Sequence, residues 1–352
     1  MKNYYEKKEF VPELRFDHLG RDWVIIAKKR AFRPKEFKRK ERVFIPPKKT
    51  CPFCNIEKDT KIFLGYLNNK KILINKNQTL KDIKDWTTIV IENKYPAVES
   101  NLIFKKEKVG PYLRIPAYGI HNIVVLKEHK KQLFNFSLSD FKELISVFKE
   151  RYYQISKEKN IKYIAIFYNQ GKSAGASIFH PHAQIIGIPL IDPDLNMALI
   201  SSKKFYQKSK KCIYCFSNKW EEKEGLRVVY KNKYFIAICP FASKSAFQVI
   251  ISPRFHSAFF EKITNDQIKY LAEIFQIIIK SYDKVLDRPD LNFYLHTAPL
   301  DHKNYKKYQY YHWHFTFLPK VSLIAGFELG AKIEIITIAP EEAAKLLKEA
   351  IL

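Results

Sequence analysis

The chain has 352 residues, with 62 Lys and Arg against 36 Asp and Glu, a net charge of +26, and 46% hydrophobic residues. This composition can build packed cores, which excludes a disordered protein, and apolar runs such as 123–126 are far shorter than the roughly 20 residues that cross a bilayer. The N-terminal MKNYYEKKEF lacks the apolar region of a signal peptide. We therefore expect a soluble, cytoplasmic protein without a membrane partner, whose charge favours anionic ligands such as nucleotides and sugar phosphates.

Six landmarks occur twice along the chain, in the same order. The first half contains CPFC (51–54), ENKYPAV (92–98), NIVVLKEH (122–129), an amphipathic stretch, KYIAIFYN (162–169) and HPH (180–182). The second half contains CIYC (212–215), KNKYFIAI (231–238), VIISPRFH (249–256), another amphipathic stretch, LNFYLH (291–296) and HWH (312–314). This order predicts two fused repeats.

Each repeat combines short strands with one long helix. Short β-branched or aromatic runs predict strands at 122–126, 162–168, 247–252 and 291–295. Helical spacing of apolar residues predicts helices at 139–158, capped by Ser137 or Ser139, and at 265–284, capped by Thr264 or Asn265. The pattern favours an α+β fold in which each repeat is a mainly antiparallel sheet with a long helix.

The two repeats define the expected domains. We assign 1–190 to an N-terminal catalytic domain and 212–352 to a C-terminal domain, each with a metal site. The intervening segment 191–211 is interpreted as a linker, because Pro189, Pro193 and a Lys/Ser-rich stretch interrupt the pattern there.

Four of the five cysteines form two Cys-x-x-Cys pairs, which in an intracellular chain indicate metal or redox chemistry. Each pair is followed by a His at the end of a strand and by a His-x-His, so each repeat offers the four ligands of a structural zinc site. The predicted sets are Cys51, Cys54, His129 and His180 for the first ion, and Cys212, Cys215, His256 and His312 for the second.

His121 competes with His129 for the third position in the first set. Aligning NIVVLKEH with VIISPRFH pairs His129 with His256, and nothing in the second repeat pairs with His121. We therefore assign the metal to His129 and a structural role to His121. Because four protein ligands leave no position for substrate, both zinc ions are predicted to be structural.

The segment 169–184 indicates the chemistry. Residues i and i+2 of a strand share a face, so His180, His182 and Gln184 are expected to point the same way, with His180 on the metal. A loop of small residues precedes them, and such loops let backbone N–H groups approach a phosphate. A neutral imidazole is a nucleophile toward phosphorus, so we predict a nucleotidyl intermediate on His182, with Gln184, Ser177 and loop amides as donors.

The second repeat differs at the corresponding place. His314 takes the position of His182, but the bulky, charged APLDHKNYKKYQYY precedes it and Thr316 replaces the glutamine. We predict that this repeat keeps its metal and lacks nucleophilic chemistry. His296 and His314 either face a substrate or are packed residues.

These motifs resemble galactose-1-phosphate uridylyltransferase and its relatives, the branch of the histidine-triad superfamily with two fused repeats. The family signature is matched at Asn169, Gly171, Gly175, Ser177, His180, His182 and Gln184. The resemblance implies that His182 is the nucleophile, that Gln184 stabilises the nucleotidyl intermediate, and that the preceding Asn, Gly and Ser residues contact the nucleotide or its phosphates.

The resemblance extends beyond this signature. DWVIIAKKRAFRP (22–34) is similar to a family motif and implies that Arg30 and Arg33 contact nucleotide phosphates. ENKYPA resembles another family motif and implies that Asn93 binds the nucleotide. Glu328 in GFELG resembles a glutamate that contacts the hexose, and the family fold implies a homodimer. Two features depart from the galactose enzymes: no glutamine follows Gln309, and the second Cys/His set resembles relatives such as ADP-glucose phosphorylases.

The leading interpretation is uridylyl transfer between UDP-glucose and a hexose 1-phosphate such as galactose 1-phosphate. Its alternative is adenylyl chemistry, as in a phosphorylase of ADP-glucose or of a dinucleoside polyphosphate. A more distant alternative is a zinc-containing nucleic-acid-binding protein, motivated by the charge of +26, but it gives no reason for the segment 169–184.

Overall fold

A computed structural model describes residues 11–27, 45–75, 77–300, 305–322 and 325–351. Within these residues the strands are β1 (Glu13–Phe16), β2 (Trp23–Ile26), β3 (Ile62–Leu67), β4 (Lys70–Ile72), β5 (Thr88–Glu92), β6 (Glu107–Val109), β7 (Tyr112–Arg114), β8 (Ile120–Leu126), β9 (Tyr163–Gln170), β10 (His182–Ile188), β11 (Val228–Lys231), β12 (Phe235–Ile238), β13 (Val249–Pro253), β14 (Leu291–His296), β15 (His314–Pro319) and β16 (Ile335–Ile336). The α-helices are α1 (Leu138–Ile155), α2 (Pro193–Ser209), α3 (Ile213–Glu224), α4 (Asn265–Leu286), α5 (Gly326–Ala331) and α6 (Pro340–Glu349).

One 11-stranded sheet runs through both repeats, in the order β11-β12-β13-β15-β14-β9-β10-β8-β5-β3-β4. Neighbouring strands in it are antiparallel, as the α+β prediction expected. At its centre β9 of the first repeat pairs with β14 of the second, with Asn169 opposite Asn292 and Phe167 opposite Tyr294. The two repeats therefore meet through backbone hydrogen bonds in a continuous sheet.

The two long helices form where the apolar spacing predicts them. Ser137 caps α1 and Thr264 caps α4, and each is part of a capping box. Both helices share one apolar core with the sheet, in which Phe148 of α1 and Phe275 of α4 pack near Phe293 of β14. No helix in the described ranges is long and apolar enough to cross a membrane.

The segment 191–211, interpreted from sequence as a linker, contains helix α2. Asp192 caps this helix by accepting a hydrogen bond from the Leu195 backbone, and Pro193 occupies the first turn, where its missing N–H is not needed. Leu195 and Leu199 pack in one cluster with Tyr214 of α3 and with other residues of the second repeat. The proline that interrupts the strand pattern thus begins a helix that lies against the second repeat.

A buried ion-pair network ties both ends of the chain to the second repeat. Glu341 of α6 accepts hydrogen bonds from Arg15 of β1 at 2.9 Å and from Arg227 at 2.7 Å. Arg15 also pairs with Glu13, and Arg227 with Glu221. Burial raises the pKa of Glu341, but the hydrogen bonds and charge of Arg15, with those of Arg227, outweigh burial and hold the pKa below 4.5. This contribution to stability is therefore complete at neutral pH and is lost as the pH falls through the lowered pKa.

Replacing Glu341 by alanine should destabilise the protein by roughly 3 kcal/mol, since it removes an anion shared by two mostly buried guanidinium groups. The neighbouring Glu342 is exposed, so Glu342→Ala should change stability by less than about 0.5 kcal/mol. Thermal unfolding of the two variants at pH 7 checks this. Equal melting temperatures for both variants would contradict the stabilising role of the network.

Candidate active site and metal groups

The first Cys/His group joins a turn before β3 to the ends of two central strands. Cys54 Sγ lies 3.3 Å from His129 Nδ1 and 3.5 Å from His180 Nδ1, and Cys51 Sγ lies 3.5 Å from His180 Nδ1. The four ligand atoms all lie within 4.8 Å of one another. For one tetrahedral zinc ion with bonds of about 2.1 Å to nitrogen and 2.3 Å to sulfur, neighbouring ligand atoms should be about 3.4–3.8 Å apart. The group therefore has the size that a single bound ion requires.

The histidine tautomers support the same conclusion. His129 Nε2 lies 2.7 Å from the Pro46 carbonyl oxygen, and His180 Nε2 lies 2.6 Å from that of Leu126. A carbonyl can only accept, so each Nε2 carries the hydrogen and each Nδ1 presents a lone pair to the group. Burial lowers the pKa of His180 to about 4, which favours the neutral ligand form. The two Nδ1 atoms are 3.3 Å apart, an arrangement of facing lone pairs that a cation would stabilise.

A second group repeats this geometry in the second half. Cys212 caps α3 and Cys215 lies in its first turn, and Cys215 Sγ is 3.5 Å from both His256 Nδ1 and His312 Nδ1. His312 Nε2 lies 3.0 Å from the Pro253 carbonyl oxygen, which again turns Nδ1 toward the cysteines. These residues also lie within 4.8 Å of one another and could hold a metal ion.

His182 begins β10, directly beside the first group. Its Nδ1 lies 2.8 Å from the His180 carbonyl oxygen, so Nδ1 carries the hydrogen and Nε2 presents a lone pair. Burial lowers the pKa of His182 below 6.5 and so favours the neutral imidazole at pH 7. The ring of Phe53, from the first Cys-x-x-Cys turn, packs on it with centroids 5.0 Å apart. His182 is thus a neutral, oriented imidazole with one nitrogen available for chemistry.

His121 holds the side chain of Gln184, a contact that the repeat alignment did not reveal. The Ala97 backbone donates to His121 Nδ1 at 3.1 Å, so the ring hydrogen is on Nε2. That Nε2–H donates to Gln184 Oε1 at 2.9 Å, which turns the amide NH₂ of Gln184 away from His121. The side-chain amide nitrogen of Asn93 lies 3.1 Å from the same Nε2. His121 therefore contacts two predicted substrate residues, whereas His129 is the histidine that lies at the cysteines.

The small-residue loop uses most of its own backbone donors. The N–H groups of Ala174, Gly175 and Ala176 donate to carbonyls at Gly171 and Lys172, and the N–H of Ser173 donates to Asp290. Gly171 and Gly175 have positive φ values of 85° and 83°, and a residue with a side chain would be strained in this backbone conformation. These glycines shape the loop, and Ser177 follows the internally bonded part. The backbone N–H groups of residues 173–176 are therefore already bonded within the protein and are not available to a phosphate.

The face of the sheet that carries His182 continues across both repeats. In an antiparallel sheet directly paired residues lie on the same side, and Gln184 pairs with Phe167, which pairs with Tyr294. A cavity of about 360 Å³ opens on this face, lined by Phe167, Asn169, Asn292 and Tyr294 among others. The residues that line it do not include His182 or Gln184, so the cavity is not centred on the histidine.

The second repeat copies the hydrogen-bond geometry of His182. His314 Nδ1 lies 3.2 Å from the His312 carbonyl oxygen, and Tyr214 packs on the ring where Phe53 packs on His182. The His296 ring lies 4.8 Å from that of His314, and His314 is buried. Helix α2 packs on Tyr214. His296 and His314 are therefore packed against each other, with His314 buried and His296 partly exposed.

The remaining residues predicted to contact substrate lie in different parts of the chain. Arg30 and Arg33 lie outside the described residues. Glu328 is in the first turn of α5, where its carboxylate accepts a hydrogen bond from the Ala325 backbone at 3.1 Å. Asn169 Oδ1 accepts a hydrogen bond from Asn292 Nδ2 at 2.8 Å, which links the first signature residue to the second repeat.

The chain is similar to several known proteins. The family model described as galactose-1-phosphate uridyl transferase, N-terminal domain, matches residues 2–190. The ADP-glucose phosphorylase of Arabidopsis thaliana is 30% identical over 342 residues, covering 96% of this chain and 93% of that protein. The galactose-1-phosphate uridylyltransferase of Thermotoga maritima is 27% identical over 348 residues, covering 96% and 98%. A solved Arabidopsis thaliana ADP-glucose phosphorylase with bound ADP-glucose has a TM-score of 0.77 at 27% identity, covering 96% and 99%.

The two Cys/His groups should bind metal independently. We expect Cys54→Ser and Cys215→Ser each to lower the metal content of the purified protein by about one equivalent, because each removes a ligand from a different group. Elemental analysis by mass spectrometry measures this. Cys239→Ala is the control, since this buried cysteine belongs to neither group. A full metal content in both serine variants would contradict the assignment.

Proposed function

The chain belongs to the galactose-1-phosphate uridyl transferase family, and on that premise we propose that it is a nucleotidyltransferase whose covalent intermediate forms on His182. Its leading reaction is transfer of the uridylyl group between UDP-glucose and a hexose 1-phosphate such as galactose 1-phosphate. The observation that carries this proposal is the Nδ1–H hydrogen bond of His182 to the His180 carbonyl, because it leaves the Nε2 lone pair available to attack phosphorus.

The reaction would run in two displacements. His182 Nε2 attacks the α-phosphorus of UDP-glucose, a P–N bond forms, and the P–O bond to glucose 1-phosphate breaks. A phosphate oxygen of the hexose 1-phosphate then attacks the same phosphorus, the P–N bond breaks, and a UDP-hexose leaves. Since the transferred group carries its charge on phosphoryl oxygens, catalysis depends on positioning and on hydrogen-bond donors.

Gln184 and Ser177 are the proposed donors to those oxygens. The His121 hydrogen bond turns the NH₂ of Gln184 away from His121, and Gln184 shares the strand face of His182 by their i, i+2 spacing. Ser177 follows the part of the loop whose N–H groups are already bonded. Gly171 and Gly175 would act by shaping this loop, and Asn169 by its place at the start of it.

We propose that both Cys/His groups hold zinc in a structural role. The ligand types and spacings suit a tetrahedral zinc ion, and four protein ligands leave no position for substrate. Zinc would restrain His180, whose backbone carbonyl accepts the hydrogen bond from His182. The ion would thereby stabilise the nucleophile's orientation without taking part in the transfer.

The alternative donor is ADP-glucose, and specific observations favour it. The Arabidopsis thaliana ADP-glucose phosphorylase is 30% identical over 96% of this chain, and no glutamine follows Gln309 in the sequence. In that reaction phosphate or another phosphate-bearing acceptor would attack an adenylyl-His182. The chemistry at the histidine would be unchanged.

Further features belong to this proposal as predictions from sequence and resemblance. Arg30, Arg33 and Asn93 would contact the nucleotide, and Glu328 would contact the hexose. A homodimer and a cytoplasmic location are proposed on the same grounds.

Mixing the protein with UDP-glucose or ADP-glucose, without an acceptor, should give a uridylyl or an adenylyl adduct visible in the intact-protein mass. His182→Ala should give none, because it lacks the attacking nitrogen. His314→Ala is the matched control from the second repeat and should be labelled like the wild type. If zinc-loaded wild-type protein forms no adduct with either donor, the covalent mechanism is wrong.

His121→Leu should slow adduct formation about five- to tenfold, as expected for losing one hydrogen bond that orients Gln184, worth about 1 kcal/mol. Rapid-quench measurement of the single-turnover rate tests this. The same substitution in a Gln184→Ala background should have little further effect, because His121 acts through that amide. Additive losses in the double variant would assign His121 another role.

A further inference from the structure

Two side chains of the second repeat hold the loop of the first repeat's candidate site. Asp290, just before β14, accepts hydrogen bonds at its Oδ2 from the backbone N–H of Ser173, at 2.8 Å, and from the Ser173 hydroxyl. Asp290 is buried, and its backbone carbonyl accepts from the Lys320 N–H at 2.7 Å. The Asp290 carboxylate therefore holds the start of the loop, and its own backbone is held by Lys320.

Gly171 has the close approach that this anchor requires. A Cβ atom built on Gly171 would lie 1.7 Å from Asp290 Oδ1, well inside contact distance. The absence of a side chain thus allows the carboxylate to reach the loop, in addition to permitting the φ of 85°. Gly171 and Asp290 fit as a pair from different repeats.

Asn292 holds the loop from the adjacent strand position. Its Nδ2 donates to the Ala174 carbonyl at 2.7 Å and to Asn169 Oδ1 at 2.8 Å. Asn169 is the last residue but one of β9, the strand that leads into the loop, and Ala174 lies in the middle of the loop. One amide therefore fixes the loop relative to the strand before it.

We propose that Asp290 and Asn292 are positioning residues that fix the loop 171–177 upstream of His182, so that Ser177 can donate to the group transferred to His182. This inference rests on the proposed function for its catalytic consequence. The hydrogen bonds inside the loop make residues 171–176 a compact unit, and the two second-repeat side chains set where that unit lies. The second repeat thus takes part in positioning the candidate site of the first.

Asp290→Asn tests the anchor with a side chain of nearly the same size. Its amide cannot accept from both Ser173 donors with the charge of a carboxylate, so we expect faster hydrogen–deuterium exchange in 171–177. We also expect a fall on the order of 10- to 100-fold in the single-turnover rate of His182 labelling, the scale of a misplaced reacting group. Asn292→Leu should have the same two effects.

Asp287→Asn is the matched control, because Asp287 is exposed at the end of α4 with a φ of 57° that asparagine tolerates. It should change neither readout. A Ser173→Ala variant completes a double-mutant cycle with Asp290→Asn. The combined loss should be smaller than the sum of the two, since Ser173→Ala removes the hydroxyl contact that Asp290→Asn also weakens. Metal content and melting temperature of each variant verify the fold.

The outcomes separate this inference from the proposed function. Faster loop exchange with slower labelling in Asp290→Asn, absent in Asp287→Asn, supports the positioning role. Unchanged loop exchange overturns it, whatever the labelling shows, and so does faster exchange with unchanged labelling. If the wild type is not labelled by any donor, the proposed function fails, while the exchange measurement still decides whether Asp290 holds the loop.

Discussion

The hydrogen bond from His182 Nδ1 to the His180 carbonyl is the constraint on which the site depends. It joins the two histidines of one His-Pro-His so that the backbone of one orients the ring of the other. The His180 side chain lies in the first Cys/His group, and β10 begins at His182. The first Cys/His group, β10 and the candidate nucleophile therefore meet within three consecutive residues, and a shift in any of them would move His182 Nε2.

The two repeats share one histidine hydrogen-bond geometry in different surroundings. Both present a histidine whose Nδ1 lies against a carbonyl two residues earlier. In the second repeat α2 packs on Tyr214, which in turn covers His314. What distinguishes the repeats is the surroundings of the ring, since the local backbone arrangement is retained and both rings are buried. His182 is followed by Gln184, whereas His314 lies against His296 and is followed by Thr316.

Most backbone N–H groups of the small-residue loop serve to hold its own shape. Donors at residues 173–176 are satisfied by the loop itself or by Asp290. A loop organised in this way costs little further ordering when substrate binds, because its conformation is already determined. The proposed donors to a phosphoryl oxygen, Ser177 and the NH₂ of Gln184, lie outside this internally bonded part.

The sequence by itself determined the repeats, the two long helices with their caps, and the membership of the two Cys/His groups, because periodicity, spacing and order along the chain express these directly. It also predicted His182 as the nucleophile, which stays a prediction. It assigned His121 a structural role and 191–211 a linker role without the contacts that define them. Tertiary structure decided three other features. They are the hydrogen bond of His121 to Gln184, the helix at 193–209 that packs against the second repeat, and the contact of Asp290 with the loop. Each depends on residues far apart in the chain, such as Ser173 and Asp290, whose approach leaves no periodic signal. Only the pairing of β9 with β14 brings those residues together.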